Sequence, residues 1–254
     1  VISTTQAYAH CRRIAKDHYE NFPVASFLVP KHIRDHLYAI YAFARAADDI
    51  ADEGSLPATA RIEQLEKLRA ALRTPSFDDP IQVALDHTIT TCKLPLSLFD
   101  RLLDAFVADS CFTPPASWDD VLTYCNNSAN PIGELFLRLD HNGREPSKQA
   151  IRASNSVCTA LQITNFLQDI SIDLGRQRNY LPLPDQEIIR RTRLLFKEGA
   201  GVVHHAASWR IRIELWAIIH GGRTMLDLCA SRSDRMIRPT LTVLSLVMQL
   251  FRFR

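Results

Sequence analysis

The stretch "YAIYAFARAADDIADEG", residues 38–54, is apolar almost throughout until Asp48, Asp49, Asp52 and Glu53 arrive together. On a helix turning about 100° per residue, Tyr41, Arg45, Asp48 and Asp52 stand at relative angles of about 0°, 40°, −20° and 20°, one narrow stripe. The intervening Ala39, Ile40, Ala42, Phe43, Ala44, Ala46, Ala47 and Ile50 require protein around most of the helix. Carboxylates in such a setting are costly unless paired or bound to metal. Asp49 and Glu53 lie off the axis of the stripe, as supporting or solvent-facing groups.

A second segment repeats the pattern. In "LQITNFLQDISIDLGRQRNYLP", residues 161–182, Gln162, Asn165, Asp169 and Asp173 recur at helical spacing among Leu161, Ile163, Phe166, Leu167, Ile170 and Ile172, with Arg178 and Tyr180 just beyond. Two such rows facing across a cavity would line it with oxygen. Hard Mg²⁺ favours oxygen ligands, typically one or two carboxylates completed by water and substrate phosphate. Asp48, Asp52, Asp169 and Asp173 together would repel a diphosphate unless divalent ions, two or three of them, sat between. Asn165 adds a neutral oxygen. The alternative is a pair of solvated acidic faces, disfavoured because both rows are embedded in apolar sequence and flanked by Arg and Tyr.

The rest of the chain is helical in character. Pro30, Pro57, Pro80, Pro95 and Pro146 each open a helix-favouring run, and "SWDDVLTYC" from Ser117 carries a variant capping box with Asp120. Helices are predicted near 4–18, 31–53, 58–73, 80–92, 96–109, 118–140, 147–174, 187–200, 203–231 and 239–252. No period-two strand signal, internal repeat or long linker competes, so the 254 residues are expected to form one all-α domain, 1–254.

Composition bounds the partners. Thirty basic and 28 acidic residues leave a formal charge of +2 and no long basic run, which argues against nucleic acid. Six scattered cysteines without a CxxC fit a reducing, cytoplasmic setting. No apolar window reaches membrane-spanning length. The tail "TLTVLSLVMQLFRFR" reads as a core helix, with peripheral lipid contact on the inner membrane face as the alternative. His32 and His36 stand at i, i+4 without a third ligand and read as surface residues. Cys11 and Cys125 lack a visible general base, so nucleophilic catalysis is not expected.

"YAFARAADDIAD" and "NFLQDISIDLGRQRNYLP" resemble the two aspartate-rich signatures of the squalene and phytoene synthase family. Within that family, "HYENFPVASFLVP", "YCNNSANPIGELF" and the Gln of "NFLQD" are most similar to the bacterial hydroxysqualene synthase branch of hopanoid biosynthesis. The resemblance implies an isoprenoid synthase fold, a helical bundle around a deep central cavity, with Mg²⁺ held by Asp48, Asp52, Asn165, Asp169 and Asp173. It also implies roles for Tyr41, Tyr124, Arg45, Gln162, Arg178 and Tyr180 in holding diphosphate or lining a carbocation pocket. Asn21 before Phe22 stands where many relatives carry a serine, so a diphosphate contact there is altered.

Gln168 replaces an arginine frequent in head-to-head condensing relatives, and "SANPIG" replaces a glycine-centred motif. Both favour an enzyme that takes preformed presqualene diphosphate, without NADPH, from a partner enzyme. Presqualene diphosphate synthase, squalene synthase and phytoene synthase are the alternatives, and a non-catalytic helical assembly factor is the remote one. Relatives usually carry an extra loop and helix after such a "YLP", so residues are expected to be missing from this chain after Asp185 and near Ser231 to Arg238.

Overall fold

The computed structural model describes residues 2–17, 28–52 and 56–240. Eleven α-helices and one 3₁₀ turn, with no strand, make up the described residues. The helices are α1 (Thr4–Asp17), α2 (Lys31–Asp52), α3 (Ala58–Ala71), α4 (Pro80–Cys92), α5 (Leu96–Ser110), α6 (Trp118–Ser128), α7 (Asn130–Asp140), α8 (Lys148–Gln168), α9 (Ile170–Gly175), α10 (Asp185–Gly199) and α11 (Trp209–Ser231). The all-α expectation holds.

Local chemistry sets the boundaries. Asp79 accepts from the backbone N–H groups of Ile81 and Gln82 to start α4, with Pro80 in the first turn. The capping box read at Ser117 and Asp120 is present in full and starts α6. Three predicted runs are interrupted. The run 118–140 breaks at Ala129, because Pro131 supplies no N–H to continue the ladder and instead opens α7. The run 147–174 breaks at Asp169, whose φ of −98° and ψ of 13° separate α8 from α9. The run 203–231 starts later, at α11, where Ser208 caps the N–H of Ile211 after the 3₁₀ turn Ala200–His205.

The apolar faces meet in one large cluster reaching from Val29 to Cys229, with Phe43, Phe99, Phe196, Leu103, Leu135 and Ile188 fully enclosed. Phe43 of α2 and Phe99 of α5 meet edge to face, centroids 5.5 Å apart. This core fixes α2 and α8 in place and so fixes the two acidic rows they carry. A smaller cluster packs α1 on α2 and α4. Here His36 departs from the surface reading: it is half-buried, its Nδ1 3.0 Å from both Tyr8 Oη and Thr88 Oγ1. Burial first, then His87, lowers its pKa. His36 is a structural histidine.

No helix among the described residues is long and apolar enough to cross a membrane. The predicted helix 239–252 lies, but for its first two residues, outside the described residues, as do Asn21, Phe22 and Glu53.

Candidate active site

The two predicted rows line one cavity. Arg45, Asp48 and Asp52 come from the last turns of α2, and Gln162, Asn165 and Phe166 from the last turns of α8. Asp169 stands at the break, and Asp173 lies on α9. Counted out to its open mouth, the cavity holds about 1080 Å³ of empty space. The break at Asp169 keeps the two aspartates one turn apart, since the Asp173 N–H still donates to the Asp169 carbonyl at 2.9 Å.

Beyond α9 the chain doubles back. Gln177 takes a left-handed φ of 59°, and the Arg178 N–H returns to the Asp173 carbonyl at 2.8 Å. That turn brings Arg178 over the cavity. Its Nη1 donates to Asp52 Oδ1 at 2.7 Å, while Arg176 Nη1 donates to Asp52 Oδ2 at 3.1 Å. Asp52 and Arg178 are mostly enclosed, 17% and 14% exposed, so this pair ties the end of α2 to the segment after α9. On the α2 side Arg45 reaches Asp49 at 2.5 Å and Asp48 at 3.4 Å. Asp49 is therefore a partner of Arg45 and does not line the cavity. Arg238 meets Asp169 at 2.5 Å.

Electrostatics follow from this crowding. Burial, then the charge of Asp169, pushes Asp173 up to about 6, against the pull of Arg176 and Arg178. Among the described residues, no three His, Cys, Asp or Glu converge as a ready-made metal cage. Each row supplies only part of a donor set, a pattern compatible with a hard ion that shares its coordination between one or two carboxylates, water and a ligand phosphate.

An apolar chamber adjoins the polar cavity, about 560 Å³ counted out to its opening and lined by Ala108, Phe112, Pro115 and Val121. Tyr124, Phe166 and Tyr180 line both spaces. The rings of Phe166 and Tyr180 stack with centroids 4.3 Å apart, and Tyr124 lies 5.4 Å from Tyr180. Behind them Asp109, at the end of α5, accepts from Tyr124 Oη at 2.8 Å and from Tyr180 Oη at 3.0 Å. Arg178 Nη2 donates to its carbonyl at 3.1 Å. Burial pushes Asp109 up to about 6, only partly offset by the two tyrosines and Arg178.

The structure thus brings together Arg45, Asp48, Asp52, Tyr124, Gln162, Asn165, Asp169, Asp173, Arg178 and Tyr180. Tyr41, on the same stripe of α2, is half-buried and is not among the residues lining the cavity. Asp109, Arg176 and Arg238 are the additions. For Asp109 the sequence carries no signal, because its tyrosines lie 15 and 71 positions away. Gln168 does not face the cavity: it is 1% exposed and donates through Nε2 to the Pro239 carbonyl at 3.0 Å.

Comparison with known proteins gives the same picture. The family model for squalene/phytoene synthase matches residues 15–185, more than half of the chain. A hydroxysqualene synthase of Zymomonas mobilis is 35% identical over 68% of this chain and 58% of its own length. One of Rhodopseudomonas palustris is 38% identical over 64% and 55%. These alignments thus span little more than half the length of either relative. A crystal structure described as squalene synthase HpnC from Alicyclobacillus acidocaldarius superposes with a TM-score of 0.80 at 31% identity, covering 89% of this chain and 94% of that one. A dehydrosqualene synthase structure, 21% identical with a TM-score of 0.83 over 98% of this chain and 95% of its own, shares the fold. With both aspartate rows on one cavity and the family's match extending over them, the chain belongs to the squalene/phytoene synthase family.

Proposed function

We propose that this protein is a hydroxysqualene synthase: it ionises presqualene diphosphate, allows the C30 carbocation to rearrange, and captures it with water, releasing diphosphate. The observation that carries the reading is the joining of a polar cavity, lined by two rows of oxygen donors and arginines, to an apolar chamber through a shared aromatic wall. A prenyl diphosphate has the same two-part character.

The residues divide the work. Arg45, Arg176 and Arg178 carry fixed positive charge for the phosphate oxygens, and Gln162 adds an amide on the same wall. Asp48, Asp52, Asn165, Asp169 and Asp173 form an all-oxygen donor set, and burial first, then the neighbouring Asp169, raises the Asp173 carboxyl. That set fits Mg²⁺, two or three ions, and these five residues would hold it. When bound, Mg²⁺ supplies Lewis-acid stabilisation of the departing diphosphate. The faces of Tyr124, Phe166 and Tyr180 offer a developing cation about 0.5–2 kcal/mol each. The apolar walls limit access of bulk water, and aromatic contact holds the chain in register.

The reaction is redox-neutral, so no NADPH enters. Gln168, a neutral side chain turned away from the cavity, offers no contact to a second diphosphate, in keeping with one diphosphate per turnover and a partner enzyme supplying the substrate. Condensation of two prenyl diphosphates is the second reading, favoured by a phytoene synthase of Mycobacterium tuberculosis that is 32% identical over 70% of this chain. Incubating the protein with Mg²⁺ and either presqualene diphosphate or farnesyl diphosphate, without NADPH, separates the two. Conversion of presqualene diphosphate to a C30 alcohol, read by mass spectrometry, is expected. Consumption of farnesyl diphosphate alone would establish the condensing reading instead.

A further inference from the structure

Resting on the hydroxysqualene synthase reading, we propose that Asp109, Tyr124 and Tyr180 form the device that orients the quenching water and takes its proton. The carboxylate of Asp109 accepts from both phenolic hydroxyls, at 2.8 and 3.0 Å. Each hydroxyl is thereby committed as a donor toward Asp109. What each still offers is oxygen lone pairs, so a water beside these rings must donate to a tyrosine and turn its own lone pair away, toward a cation.

Position supports the assignment. Both tyrosines line the polar cavity and the apolar chamber alike, so the device sits where an ionised prenyl chain and the aqueous mouth meet. Asp109 itself lines the polar cavity and stands outside the two aspartate rows. Arg178 anchors the network by donating to the Asp109 carbonyl with one nitrogen and to Asp52 with another.

The step balances without an added reagent. The water oxygen supplies the electron pair of the new C–O bond, and the water proton passes to a tyrosine oxygen. That tyrosine's own proton moves to the Asp109 carboxylate, yielding a neutral alcohol, an intact tyrosine and a protonated Asp109. Burial, which raises the Asp109 carboxyl to about 6, makes it a better proton acceptor than an exposed aspartate. The proton then leaves with diphosphate or through the open cavity.

The test is product partition. Wild-type protein, Asp109→Asn, Asp109→Glu, Tyr124→Phe and Tyr180→Phe are given presqualene diphosphate and Mg²⁺ in ¹⁸O-water, and the alcohol is compared with C30 hydrocarbon formed by proton loss. Asp109→Asn is expected to lower the alcohol-to-hydrocarbon ratio about tenfold or more, equivalent to about 1.4 kcal/mol. Asp109→Glu should recover part of it, and one of the Tyr→Phe variants should reproduce the loss. A merely structural role would lower total turnover and leave the ratio alone. An unchanged ratio in Asp109→Asn and both Tyr→Phe variants overturns the proposal. Wild-type protein that makes no alcohol overturns the hydroxysqualene synthase reading beneath it.

Discussion

At the scale of single residues, the carboxylates divide by what surrounds them. Asp48 and Asp169 belong to the polar rows, are partly exposed, and contribute little to the core, so Asp48→Ala or Asp169→Ala is expected to lower turnover by at least about a hundredfold. The melting temperature should stay within a few degrees of wild type. Asp109 behaves differently. Its folded carboxyl, raised to about 6 from an ordinary 3.8, binds protons more readily than the unfolded chain does. It therefore favours the folded state least above pH 6, and this cost fades as pH falls through 6 toward 4. At about 1.36 kcal/mol per unit the cost is on the order of 3 kcal/mol. Asp109→Asn should accordingly compare best with wild type in thermal melts at pH 8, an advantage that shrinks toward pH 4. A pH-independent difference would contradict this.

Among the elements, the rows were legible because their signal is local: donors at helical spacing within an apolar helix. The break at Ala129 was also written in the chain, as Pro131, although the apolar pattern runs on past it. The break at Asp169 has no proline or glycine to announce it, and so no local signal. Asp109 was invisible for the same kind of reason, since its meaning comes from Tyr124 on α6 and Tyr180 after α9. Packing makes its own demand at Gly199, the last residue of α10, where a Cβ would stand 2.7 Å from the Ala153 carbonyl oxygen and 2.8 Å from the Val157 nitrogen of α8. Backbone cannot yield as a side chain can. Gly199→Ala should cost about 1–3 kcal/mol and push α10 off α8, visible as a lower melting temperature; an unchanged value would contradict the close approach.

Across the whole molecule, the site is an assembly of distant parts. Arg178 and Asp52 are 126 positions apart and mostly enclosed, so removing the Arg178 cation leaves the Asp52 carboxylate to the more exposed Arg176 alone. Arg178→Met should destabilise the fold by about 1–3 kcal/mol, read in denaturant melts, and also loosen the turn that carries Tyr180. A variant as stable as wild type would show the pair to be incidental. The meeting of the two rows is the central claim, and isothermal titration of inorganic diphosphate, with and without Mg²⁺, addresses it without involving turnover. Diphosphate is predicted to bind with Mg²⁺ present, to lose most of that affinity without it, and to lose it equally in Asp48→Ala and Asp169→Ala, one from each row. Equal binding with and without the ion, or loss from one row only, would contradict a site built across both.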